Sequence, residues 1–185
     1  MSDLLGLVIA AATSTADVSA VAEPDYNAVS ISIPAVDGMR GIGASYERWF
    51  PARRISLAAI GQLRQTATGD YGALSVGVGG EARWYWRADA WLSKLPAGSM
   101  VGWFLGARLE VAFGATHDRI DDRWLGESLD VGTSGLVGYR IAPWRHVEIT
   151  SSIGLGMRRQ VDLSGRLPAY SRGTAFAGLS VGWLF

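Results

Sequence analysis

The stretch THDRIDD, residues 116 to 122, brings together an imidazole and several carboxylates in one polar segment. His117, Asp118, Asp121 and Asp122 are of the types that hold a hard divalent cation, and the same groups can serve acid–base hydrolysis at an exposed rim. Charges crowded into a polar connection are most often simply solvated, so solvation is the expectation, with no resident metal and no cofactor. A second set is more regular: Glu47, Arg64, Glu81, Arg83, Arg108, Glu110, Asp130, Arg140, Glu148 and Arg158 fall on the polar faces of successive alternating segments. Acids and arginines enclosed together can form an ionic network, or a narrow proton or ion path along Arg108, Glu110, Glu148 and Arg158. GVGGEARW carries glycines but runs through an extended segment and meets no helix, so nucleotide phosphate binding is excluded.

Whatever positions these groups must be built from 185 residues, which sets the expectation of one domain. Lys plus Arg equals Asp plus Glu at 17 each, which gives no reason to expect a nucleic-acid partner. Cysteine is absent, which removes disulfides, thiolate metal sites and a cysteine nucleophile. Hydrophobic residues make up 49% of the chain, yet no apolar run reaches the length of a membrane-crossing helix. LLGLVIAAA (4–12) has the form of a secretory h-region, and Ala20-Val21-Ala22 offers a cleavage site before Glu23, although MSD lacks the usual positive charge. The other reading is a short segment that stays attached. Both set residues 1–22 apart and assign 23–185 to the fold.

From residue 27 the dominant signal is period two. In residues 101–114, Val101, Trp103, Leu105, Ala107, Leu109, Val111 and Phe113 share one side, opposite Phe104, Arg108 and Glu110. Residues 72–86 place Leu74, Val76, Val78, Ala82, Trp84 and Trp86 opposite Ser75, Glu81, Arg83 and Tyr85. Segments at 125–141 and 145–161 divide likewise, as do three weaker ones at 27–33, 40–50 and 55–65. The closing TAFAGLSVGWLF sets Ala175, Ala177, Leu179, Val181, Trp183 and Phe185 against Thr174, Phe176, Gly178, Ser180, Gly182 and Leu184. Eight strands are thus expected, several as long as the roughly 9–11 residues that a tilted strand needs to cross a bilayer. FPARR and APWR read as tight turns, whereas GATHDRIDDRWLGES and VDLSGRLPAYSRG read as longer polar loops, and 87–100 as a short interfacial helix.

Period two does not say which face is inside. Arg and Glu side chains interleaved with glycine suit a narrow eight-stranded lumen, since glycine makes room for them. Tyr46, Trp84, Trp86, Trp103, Tyr139, Trp183 and Phe185 lie on the apolar faces, many near strand ends, as an interfacial girdle requires. The expected fold is therefore all-β: an eight-stranded antiparallel up-and-down transmembrane β-barrel. A soluble lipocalin-like carrier, apolar inside and wet outside, is the distant alternative.

The terminal GLSVGWLF, alternating back from Phe185, resembles the carboxy-terminal signal by which the barrel-assembly machinery recognises outer-membrane proteins; the pattern favours Gly where Ser180 stands. The span 40–185, with ASYERWF, GGEARWYW, VGWFLGARLEV, GLVGYRIAPW and VEITSSIGLGMRR, is similar to the small barrels of the OmpX/OmpA transmembrane type, and within it to an OmpX-like subgroup. The resemblance implies a bacterial outer-membrane address, membrane lipid and the assembly machinery as partners, and no named external ligand. It implies architecture rather than activity. A lipid A deacylase would need His-x-Ser on the membrane face, but the residues are His146-Val147-Glu148, with His146 expected to point inward. The expected function is a non-catalytic barrel with a charged, occluded lumen, structural or binding through its loops. A narrow ion-conducting barrel or a rim-site hydrolase stays open beside it.

Overall fold

The structure is a computed structural model that describes residues 27–36, 39–50, 53–68, 71–87, 101–118, 120–121, 123–144, 146–163, 165 and 169–185. Eight strands follow one another: β1 (Asn27–Val36), β2 (Met39–Phe50), β3 (Ile55–Thr68), β4 (Tyr71–Arg87), β5 (Gly102–Asp118), β6 (Arg123–Trp144), β7 (Val147–Asp162) and β8 (Tyr170–Leu184). Each pairs antiparallel with the next, and β1 pairs with β8 from Ala28↔Leu184 to Val36↔Phe176, which closes the barrel. Asn27 and Phe185 complete the seam by exchanging backbone hydrogen bonds of 3.1 and 3.0 Å. Closure pairs β1 along its length with β8, the condition for a sheet that meets hydrocarbon.

Alternation along the strands sorts the side chains. On β4, Leu74, Val76, Val78, Trp84 and Trp86 are exposed on the outside, while Ser75, Glu81, Arg83 and Tyr85 are buried within. The same split runs through β5, where Trp103, Leu105, Leu109, Val111 and Phe113 face out and Phe104, Glu110 and Ala112 face in. Val78 is 65% and Leu155 75% exposed, typical of a continuous apolar exterior. In water each Å² of that surface is unfavourable by about 25 cal/mol, whereas in lipid it is at home. The carrier reading, which needs the apolar faces inside, is thereby reversed.

Several expectations change in detail. β5 and β6 stay paired out to Asp118↔Arg123, so the expected loop at 114–128 shrinks to 119–122. The expected loop at 161–173 likewise shrinks to 163–169, because β8 already pairs with β7 at Gln160↔Tyr170. Polar side chains do not end a strand when the backbone ladder continues and water is available to both faces. Val101, expected outside, is buried. Gly102 follows it with φ 127°, a conformation that breaks the alternation at that point. The signal-like segment at 1–22 and the expected interfacial helix, from residue 88 to 100, lie outside the described residues.

Candidate functional site: the lumen

The inward positions of β2 through β7 bring together all ten charged residues of the alternating set. They form two groups. In the first, nearer the Asn27/Phe185 end, charge alternates along Glu148, Arg140, Glu47, Arg83, Glu81 and Arg108. Arg140 Nη2 lies 2.5 Å from Glu47 Oε2 and Nη1 lies 3.2 Å from Glu148 Oε2, while Nε donates to Thr150 Oγ1 at 3.0 Å. Arg83 Nη1 donates to the same Glu47 oxygen at 2.9 Å and its Nε pairs with Glu81, whose other oxygen takes Arg108 Nη2 at 2.6 Å. Three guanidinium groups meet three carboxylates, so the group is neutral.

The second group lies further along the lumen. Arg64, fully buried, pairs with Glu110, which also accepts from Gln62 Nε2 at 2.8 Å. Arg158 bridges Glu110 at 3.6 Å and Asp130 at 3.7 Å. Two cations again meet two anions. Between the groups a cavity of about 30 Å³ is lined by Ser32, Ser45, Gln62, Arg83, Arg108 and Ser180, room for about one water.

Aromatic rings complete the packing. Arg140 lies over the Trp49 ring at 4.6 Å and near Tyr85 at 5.6 Å, Arg83 over Phe104 at 5.1 Å, and Arg108 over Phe176 at 4.1 Å. A desolvated guanidinium above a ring face gains about 2 kcal/mol or more from the ring quadrupole, partly offsetting its lost hydration. Trp49, Tyr85 and Phe104 also join Ala28, Val101, Leu136, Ala142 and Leu184 in one buried apolar cluster toward the Asn27/Phe185 end. Trp49 was not singled out from sequence, yet it stands two residues from Glu47, so the same alternation that places Glu47 inside places it there too.

The outer aromatics have a different arrangement. Trp84 and Trp86 have centroids 6.5 Å apart, Trp86 stacks on Trp103 at 6.3 Å, and Trp103 meets Tyr139 edge-on at 5.1 Å. Tyr46 donates its hydroxyl to Asn27 Oδ1 at 2.8 Å, and Trp183 and Phe185 are exposed on the outer wall. His146, expected in the lumen, is instead exposed, stacked on Trp183 at 5.3 Å, with Nδ1 3.2 Å from the Leu184 carbonyl. It occupies the turn before β7, where strand alternation no longer governs direction. The missing serine still separates His146-Val147-Glu148 from the deacylase pattern.

Of the rim candidates, His117 is half-exposed at the end of β5 and Asp121 is exposed in the following turn. The Asp118 side chain and Asp122 lie outside the described residues. Among the described residues no group of three or more metal-ligating side chains comes together.

No protein-family profile matches the chain, and no curated protein sequence matches it significantly. Solved structures similar to it include Neisserial surface protein A, at 14% identity and a TM-score of 0.47, covering 86% of this chain and 95% of that one. The N-terminal β-barrel domain of Pseudomonas aeruginosa OprF is similar at 13% identity and a TM-score of 0.49, covering 86% and 97%. A major outer membrane protein from Thermus thermophilus is similar at 11% identity and a TM-score of 0.49, covering 88% and 100%. The fold rests on the strand ladder and the distribution of side chains, not on these likenesses. With its apolar residues outside, its charges within and β1 closed against β8, the chain is an eight-stranded antiparallel up-and-down transmembrane β-barrel.

Proposed function

We propose that the protein is a non-catalytic bacterial outer-membrane barrel that acts as a rigid structural element and displays its loops for contact, with a lumen closed to solutes. The observation that carries this reading is the filling of the lumen: two neutral ionic groups and a capping apolar cluster flank a void of about 30 Å³. A continuous ion path needs exchangeable water between charged groups, and the linked run Arg140, Glu47, Arg83, Glu81 and Arg108 occupies that space toward the Asn27/Phe185 end. Reconstituted in a planar bilayer, the folded protein is expected to show no steady unitary conductance. A steady, salt-dependent current would overturn the closed lumen in favour of the narrow channel.

Membrane lipid and the barrel-assembly machinery are the partners of this reading, the latter through β8. Trp183 and Phe185 stand on the exposed outer wall, where an assembly factor can reach them before lipid closes over the strand. Phe185→Ala is expected to slow insertion by assembly-machinery proteoliposomes while leaving spontaneous folding into detergent micelles unchanged. Equal slowing of both would mean a structural role only.

A further inference from the structure

We infer that the outer wall binds one glycerophospholipid with an anionic headgroup, its phosphate at the β2–β3 turn and its acyl chains in a trough across β3 to β7. The inference takes the lipid-facing exterior as given and adds a specific occupant. The trough, shallow and open to the outside, spans about 820 Å³ and is floored by Gly80, Ala82, Ala107 and Gly135 between walls that include Leu57 and Met157. Leu57, Ala82, Ala107 and Gly135 lie in one cross-strand row. A Cβ added at Gly135 would meet nothing within 4 Å, and one at Gly80 only the Ala58 carbonyl at 3.9 Å. Packing inside the barrel therefore does not require glycine at either place, although glycine weakens a strand.

Two residues along the strands toward the Asn27/Phe185 end, the next row begins with Ile55 and Trp84, and the indoles of Trp84, tilted against Trp86, and of Trp86, stacked on Trp103, form a shelf. Beyond the shelf comes the turn with Arg53 and Arg54, both exposed. Arg54 is held there, because its carbonyl accepts the Tyr85 N–H at 2.9 Å, which seats it beside the strand segment that carries Trp84 and Trp86. The order along the wall is cation, indole, apolar trough. That is the order of phosphate, ester and tail in a glycerophospholipid, with tryptophan at its preferred interfacial depth. The basic turn selects among lipids: an arginine near the surface favours an anionic headgroup by about five-fold.

The test uses the full-length protein, delipidated in detergent and exposed to equal amounts of phosphatidylglycerol and phosphatidylcholine of one chain length, with retained lipid read by native mass spectrometry. One phosphatidylglycerol per barrel is expected, preferred over phosphatidylcholine by at least about five-fold. Arg53→Gln/Arg54→Asn should abolish the preference; asparagine is chosen because Arg54 has φ 54°, which it tolerates. Ala107→Leu/Gly135→Leu, which fills the trough from the outside, should abolish retention of both lipids. Heat-dependent gel mobility reports folding of each variant. The inference is overturned by no retained lipid, by equal retention of the two lipids in the unaltered protein, by retention that survives the filled trough, or by a dimer that excludes lipid.

Discussion

Arg140→Met is expected to destabilise the folded barrel by about 3–5 kcal/mol, because it removes one partner from a buried ionic group. Arg140 is fully buried and joins Glu47 to Glu148. Once it is gone, Glu47 keeps Arg83 at 2.9 Å, but Glu148 loses the arginine paired with it. The group then holds two cations against three anions, and the uncompensated carboxylate lies in the narrow lumen beside the apolar cluster. Adding Glu148→Gln returns the balance to two against two and should recover most of the loss. Denaturant unfolding of the reconstituted single and double variants measures both. A single variant within about 1 kcal/mol of the unaltered protein, or a double variant no better than the single, would show that the ionic group does not hold the barrel closed.

A charge on the other face should cost about as much for a different reason. Leu109 stands midway along β5, exposed on the outer wall. An arginine near the bilayer midplane costs about 2–4 kcal/mol, because hydrocarbon offers the guanidinium neither water nor a counter-charge. Leu109→Arg is thus expected to lower stability by that amount in vesicles. A surface change in a barrel surrounded by water would stay within about 0.5 kcal/mol. Unfolding of the variant in vesicles distinguishes the two, and a near-neutral result would mean that lipid does not cover this wall. Together the two substitutions probe both faces of one sheet: inside, a charge must not be left alone, and outside, a charge must not be added.

Much of this architecture is legible in the chain itself. Side chains of a strand alternate by geometry, so the apolar set Trp103, Leu105, Leu109, Val111 and Phe113 must share one face and Arg108 and Glu110 the other, whatever surrounds them. The same rule sets Tyr85, Phe104 and Phe176 on the inward faces, and it extends to Trp49, two residues from Glu47; there these rings lie against arginines instead of joining the outer girdle. Alternation fails where strands end, and those are the places where expectation and structure part. His146 leaves the lumen because it sits in a turn, Val101 turns inward before the positive-φ Gly102, and the polar connection at 114–128 is largely strand because its ladder continues.

What alternation does not contain is the stagger between strands. It determined that Glu47 and Arg140 both point inward, yet that they meet at 2.5 Å across ninety-three residues of sequence follows from closure and register around the whole barrel. The separation of the charges into two neutral groups, the water-sized void between them, and the row that aligns Ala82, Ala107 and Gly135 beneath a tryptophan shelf have the same origin. Local geometry assigns each side chain to a face, because that depends only on its own strand. Its neighbours on that face come from distant strands, and only the closed sheet brings them together.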